Sequence, residues 1–110
     1  MSEAQEQEVI IQWADLHGLP LFHIPNGGKR NAAEAAHLKR QGVRAGVPDL
    51  FLPIAKGGFH GLFIELKSGK NKATKKQIEW VKRLNNNGYL ARICYGADNA
   101  IALIELYLRS

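Results

Sequence analysis

Three charged residues carry the first chemical hint in this sequence: Asp49, Glu65 and Lys67. Asp49 opens the run DLFLPI (residues 49–54), and Glu65 and Lys67 lie at the end of LFIELK (residues 62–67). Both runs read as strands. The segment AKGGFHG between them contains Gly57 and Gly58, which supply the positive φ angles of a tight turn, so the pair predicts a β-hairpin. A turn centred between Gly57 and Gly58 sets Asp49 opposite Leu66, with a register error of about one or two residues, and so beside Glu65 and Lys67. Side chains alternate across a strand. Leu50, Leu52, Ile54, Leu62, Ile64 and Leu66 therefore share an apolar face, and Asp49, Phe51, Phe63, Glu65 and Lys67 share the other. Converging Asp and Glu carboxylates offer the hard oxygen ligands that suit Mg²⁺ or Mn²⁺. A lysine beside such a cation can orient or help activate a water, or stabilise charge developing on a phosphate during in-line attack. On geometry alone, the same residues also fit a cross-strand ion pair on an exposed sheet face.

These strands need a framework. Ser2 and Gln5 have capping-box spacing, and Val9, Ile10, Trp13 and Leu16 recur at helical intervals, which predicts an amphipathic helix over residues 3–17, stopped by Gly18 and Pro20. Residues 21–24 read as a short strand ending at Pro25, followed by the loop from Asn26 to Arg30. Residues 31–41 are rich in helix formers, with Gly42 placed for a helix C-terminus. Thr74 and Gln77 form a second capping-box pattern, and Ile78, Val81 and Leu84 give the apolar side of a helix over residues 74–87 that closes at Gly88. YLARICY (residues 89–95) reads as a buried strand. Residues 97–108 read as a final helix with Ile101, Leu103, Ile104 and Leu108 on its apolar side. The expected fold class is α/β, with a small mixed sheet built around a central hairpin and flanked by helices, as one domain over residues 1–110.

Composition narrows the function classes. At 45% hydrophobic and 23% charged residues, the chain resembles ordinary globular proteins, which argues against disorder or low complexity. Fifteen Lys and Arg against ten Asp and Glu leave a net charge of +5, a balance that suits a polyanionic partner without identifying one. The single cysteine, Cys94, excludes an internal disulfide and a cysteine metal cluster. No run approaches the ~20 apolar residues of a membrane span, and the acidic start does not read as a secretory signal. A cytoplasmic setting is expected. His17, His23, His37 and His60 lack metal-ligand spacing and read as structural. Trp13 reads as core, and Trp80 and Tyr107 as packing residues or contacts between copies rather than base-stacking platforms.

Gly46, Val47, Pro48 and Asp49, followed across the hairpin by Ile64, Glu65, Leu66 and Lys67, resemble the active-site signature of the PD-(D/E)XK nuclease superfamily. More closely, the ordered set resembles its VRR-NUC branch, the virus-type replication and repair nucleases. The set comprises a first helix with Glu3 and Gln7, HIPNGGKR, LKRQGVRAGVPDL, FIELKSGK, and Thr74 with Gln77 before a helix ending at Gly88.

The resemblance implies a restriction-endonuclease-like fold and a Mg²⁺-dependent endonuclease that hydrolyses DNA phosphodiester bonds, with Mn²⁺ as a substitute. Asp49 and Glu65 match the metal-binding carboxylates, the Leu66 backbone carbonyl an additional ligand, and Lys67 the catalytic lysine. Glu3 resembles the glutamate of the family's first helix, with Glu6 and Glu8 as alternatives. On a helical wheel Glu3 falls with Gln7, Ile10 and Ala14 at the margin of the apolar face, whereas Glu8 falls with Gln12 and Asp15. Gln77 resembles a superfamily glutamine that approaches the site or the DNA, and it equally suits a capping role at its own helix. Lys29, Arg30, Arg44, Lys70 and Lys72 fit phosphate contacts, as do Lys39, Arg40, Lys75 and Lys76. Asn26 fits either a loop brace or a substrate contact. Similarity to stand-alone relatives further implies a homodimer that cuts branched DNA in the manner of a Holliday junction resolvase, in a bacterial cell or phage-infected host. The rival readings are a restriction- or mismatch-type endonuclease on linear duplex and a non-catalytic nucleic-acid-binding module. The second of these leaves an acidic pair facing a polyanion unexplained.

Overall fold

The computed structural model describes residues 1–26 and 30–110. Among these, the elements follow in the expected order: α1 (Glu3–Leu16), β1 (Phe22–His23), α2 (Ala32–Arg40), β2 (Leu50–Leu52), β3 (Leu62–Lys67), α3 (Lys75–Asn86), β4 (Leu90–Tyr95) and α4 (Ala97–Leu108). Both capping boxes form, Ser2 with Gln5 at α1 and Thr74 with Gln77 at α3, and the Asn31 side chain caps α2. The sheet among the described residues runs β1-β2-β3-β4. It is antiparallel through the first three strands and parallel between β3 and β4, with α3 as the crossover.

One register expectation is corrected. The hairpin ladder pairs Leu50 with Ile64, Phe51 with Phe63 and Leu52 with Leu62, so continuing it by one residue sets Asp49 opposite Glu65 rather than Leu66. The turn itself is where the glycines require it. Lys56 bridges Phe59 around Gly57 (φ 56°) and Gly58 (φ 86°), the successive positive angles of a hairpin turn that matches strand twist. The slip arises between turn and ladder. Pro53 has no N–H to pair, and the Ile54 N–H folds back onto the Leu52 carbonyl at 2.9 Å, a tight local reversal that uses one more residue on the β2 side than on the β3 side. The consequence is chemical: directly opposed residues share a face, so Asp49 and Glu65 come together.

The other face of the hairpin is the core. Leu50, Leu52, Leu62, Ile64 and Leu66 are fully buried in one cluster with Ile10 and Ala14 of α1 and Ala100 and Ile104 of α4. Each large side chain removed from water contributes about 1.5–3 kcal/mol, which holds the strand carrying Glu65 rigidly against two helices. The α3 helix packs chiefly on β4. None of its residues is fully buried, and Ile78, expected on its apolar side, is 40% exposed because the helix covers only that flank of the sheet. The two late aromatics differ. Tyr107 is buried, with its hydroxyl donating to the Ile54 carbonyl, as a packing role requires.

The start of α4 lacks a capping side chain of its own, because its N-cap is Gly96 at φ 83°. Glu6 of α1 supplies the cap: its Oε2 accepts the Ala97 N–H at 2.7 Å, and a Cβ on Gly96 would lie 2.8 Å from that same oxygen. This places a carboxylate at the positive end of a helix and locks α1 to α4. Among the described residues no helix is long and apolar enough to cross a membrane. Glu6→Ala is expected to cost about 1–2 kcal/mol in urea unfolding, whereas Glu8→Ala, at an exposed position, should stay within about 0.5 kcal/mol of the parent protein.

Candidate metal centre

Glu3, Asp49 and Glu65 converge, each offering a carboxylate oxygen, with all three oxygens within 4.8 Å of one another. Three different elements supply them. Glu3 is the first residue of α1, Asp49 immediately precedes β2, and Glu65 sits within β3. Asp49 is held from two sides: its Oδ2 accepts the Leu66 N–H at 2.8 Å, while its carbonyl accepts the Ile24 N–H and the His23 Nδ1. Because the N–H and C=O of one strand residue point the same way, the Leu66 carbonyl also opens toward Asp49 rather than toward β4.

Glu65 is the unusual member. It is 1% exposed, and its two oxygens differ. Oε2 accepts from the Gln77 amide at 3.1 Å and lies 3.6 Å from the Lys67 ammonium, whereas Oε1 is buried with no hydrogen-bond partner among the described residues. A buried carboxylate oxygen without a donor is costly unless something outside the chain supplies the opposite charge. Burial pushes the Glu65 carboxyl up to about 8; the neighbouring Asp49 carboxylate pushes the same way, and Lys67 opposes them. Glu3 is raised too, by burial first, with Lys67 opposing and Asp49 adding to the rise. One lysine does not neutralise three carboxylates. The donor set of oxygens around an unsatisfied buried oxygen fits a hard divalent cation.

The three glutamates of the first helix have different surroundings. Glu3 reaches the cluster, Glu6 is committed to the Ala97 N–H, and Glu8 is exposed. Gln77 performs both of the roles that its spacing allowed. Its Oε1 accepts the Thr74 N–H at 2.8 Å, closing the capping box, and its Nε2 donates to Glu65. A primary amide has an acceptor and a donor at opposite ends, so one role does not exclude the other. The α3 helix is brought this close by Gly46, which has φ 91° and on which a Cβ would lie 2.7 Å from the Lys76 backbone carbon. Only glycine permits that approach.

The other candidate residues lie outside the carboxylate cluster. Asn26 braces a loop, its amide donating to the Arg44 and Val47 carbonyls at 3.1 and 2.7 Å. Arg44 donates to the Lys39 and Val43 carbonyls. Arg30, Asn26 and Arg44 line a separate cavity between α2 and α3, to which Trp80 also belongs. Trp80 is thus a cavity wall, a position that the helical spacing of Lys76, Glu79, Trp80 and Arg83 on one face of α3 could have signalled. Lys70 and Lys72 are exposed in the segment between β3 and α3. Lys29 lies outside the described residues.

The mixed sheet thus presents two converging carboxylates and a lysine from its hairpin, with a third carboxylate from α1. The VRR-NUC domain family matches residues 1–98, and the chain belongs to that family. A solved structure described as a VRR_NUC domain protein is similar over 99% of this chain and 89% of its own, with 36% identity and a TM-score of 0.87. No curated protein matches the chain.

The raised Glu65 carboxyl sets a pH dependence. Between its ordinary value of 4.5 and about 8, Glu65 binds a proton in the folded state that the unfolded chain has released. Stability of the metal-free protein therefore falls as pH rises through that window and levels off above it. Urea midpoints measured in EDTA across the window should show this decline, and Glu65→Gln should flatten it. A cation competing for the same oxygens displaces that proton, so affinity for a divalent cation, measured by titration calorimetry, should rise with pH and level off near 8.

Proposed function

We propose that the chain is a divalent-metal-dependent endonuclease that hydrolyses DNA phosphodiester bonds, working as one nuclease domain over residues 1–110. The observation that carries the reading is the acidic triad of Glu3, Asp49 and Glu65 with Lys67 beside it, set in a chain of net charge +5. A site for a polyanion gains nothing from three carboxylates unless a cation stands between them and the phosphate.

Asp49, Glu65 and Glu3 would hold Mg²⁺, or Mn²⁺ in its place, with the Leu66 carbonyl opening toward the same end of the sheet. When bound, such a cation supplies charge neutralisation at the scissile phosphate and makes a nearby water more acidic. The chain's own groups do the rest. The Leu66 N–H fixes Asp49, and the Gln77 amide holds Glu65 by Oε2 and leaves Oε1 free. The Lys67 ammonium orients the attacking water or stabilises the extra negative charge as the water–phosphorus bond forms and a phosphorus–oxygen ester bond breaks. Asn26 keeps the loop before Asp49 in place. Arg30, Arg44, Lys70 and Lys72, with Lys29, neutralise phosphates on either side of the cut.

In a panel of four-way junction, flap, single-stranded and linear duplex substrates with Mg²⁺, cleavage is expected, with preference for branched DNA. Asp49→Asn and Glu65→Gln should abolish it. Lys67→Ala should lower the rate by about 10²–10³, and Gln77→Ala by about 10–100-fold through misplacement of Glu65. Purified protein that cuts no member of the panel would overturn the reading.

We further infer a homodimer, which sets two such sites across a twofold axis as cleavage of a junction demands. The support is the exposed apolar side chains that α1 and α4 each carry. Leu16 and Leu106 are 86% and 60% exposed, and a hollow of about 330 Å³ on the same two helices is lined by Trp13, His17, Leu19, Glu105, Leu108 and Arg109. Sedimentation should give twice the chain mass, and Leu106→Lys should shift it to the monomer. A monomeric parent protein at working concentration overturns the dimer.

A further inference from the structure

A cavity of about 510 Å³ lies between α2 and α3, apart from the carboxylate cluster. Its α3 wall is a single stripe, Lys76, Glu79, Trp80 and Arg83, at the spacing that brings side chains onto one helix face. Leu38 and Lys39 of α2 form the facing wall, and Arg44 closes one end. The groove stays open because α2 buries none of its residues and stands off the sheet. It is also held in shape. The Arg44 guanidinium donates to the Lys39 carbonyl at 2.9 Å, and Asn26 ties the same loop through the Arg44 and Val47 carbonyls.

The lining is unlike a core awaiting closure. Among the described residues, Arg30, Lys39, Arg44, Lys76 and Arg83 surround it against one carboxylate, Glu79. Such a ring repels itself unless an anion enters. An aromatic ring lies among the cations: the Arg83 guanidinium sits 4.8 Å from the Trp80 ring centroid. A flat aromatic and guanidinium surface inside a cationic groove suits a ligand with both a phosphate and a π-face. The volume falls in the ~300–1,000 Å³ range of sites for small ligands, enough for a nucleotide and not for a duplex.

The groove also adjoins the metal centre. Gly46 brings the loop before Asp49 against the Lys76 backbone, and the side chain of the next residue, Gln77, reaches Glu65. One turn of α3 therefore serves both sites.

From this geometry we infer that the groove binds an unpaired nucleotide of the DNA substrate, with the base against Trp80 and Arg83, the phosphate among the cations, and the Glu79 carboxylate accepting a base N–H. The inference rests on the nuclease reading and adds a substrate class to it: DNA with a single-stranded segment next to the cut. Trp80 supplies the discrimination against paired DNA, because a base can stack on it only after leaving its own helix.

The test measures binding in EDTA, where nothing is cut, by anisotropy of a labelled single-stranded oligothymidine and of a labelled duplex of the same length. Trp80→Ala should weaken single-strand binding about tenfold while duplex binding stays within about twofold. Trp80→Phe, which keeps a stacking surface, should restore most of the loss. If Trp80→Ala does not fold, the double variant Lys76→Ala/Arg83→Ala, which changes two exposed residues, takes its place and should again weaken the single strand more than the duplex. The inference is overturned if a folded variant binds both probes as the parent does, if both affinities fall by the same factor, or if sedimentation changes in place of oligonucleotide affinity, which would make the groove a contact between copies. A parent protein that binds single strands through Trp80 yet cuts no substrate with Mg²⁺ would sink the nuclease reading and leave the groove standing, so the two failures are distinguishable.

Discussion

Everything at the working end of this molecule answers to one electrostatic problem: a carboxylate, Glu65, is buried to 1% exposure beside two others, with one lysine near it. Removing a carboxylate from water without full compensation costs several kcal/mol. The chain limits that cost in stages. The Gln77 amide and the Lys67 ammonium meet Oε2, the Leu66 N–H takes up one oxygen of Asp49, and the Glu65 carboxyl retains a proton well above its ordinary range. What remains is Oε1, buried and without a partner among the described residues. A fold that concentrates like charge in this way gives up stability for a cluster that could hold a cation, a pattern common at functional sites.

Holding such a cluster together requires a rigid scaffold, and the hydrophobic face of the same hairpin supplies it. Leu62, Ile64 and Leu66 alternate with Phe63, Glu65 and Lys67, so the contacts that anchor β3 to α1 and α4 also aim the charged residues at the opposite face. The local reversal at Pro53 sets which residue Asp49 opposes. Glu6 fastens α1 to the start of α4 by a hydrogen bond spanning almost the whole chain, and the same helix carries Glu3 to the cluster three residues earlier. Gly46 performs the equivalent task for α3, since only a residue without a Cβ allows the helix that bears Gln77 to approach so closely.

The positive charge of the chain is organised separately from the negative. Several of the cations gather along the groove between α2 and α3, whereas the acids converge at the hairpin, and the first turn of α3 joins the two. Segregation of this kind lets a polyanion meet attraction along one wall while the carboxylates stay reserved for a cation.

Much of this was legible in the sequence because the governing periodicities are short. Alternation identified the charged face of the hairpin, capping boxes marked the starts of α1 and α3, and the same alternation set Asp49 and Glu65, two of the three converging carboxylates, on one face. Three matters were decided only in three dimensions. The register at Asp49 turned on how Pro53 spends one residue between turn and ladder, a local hydrogen-bond choice that alternation does not encode. The choice among Glu3, Glu6 and Glu8 depended on where α4 begins relative to α1, a contact between segments about 90 residues apart. The setting of Trp80, which reads from sequence as a packing residue or a contact between copies, depends on what α3 faces, because a helix periodicity says which residues share a face but not what that face meets. Sequence determined which residues travel together along each element, since that follows from backbone geometry. Tertiary structure decided which of those faces meet and how closely, because that depends on packing between distant parts of the chain.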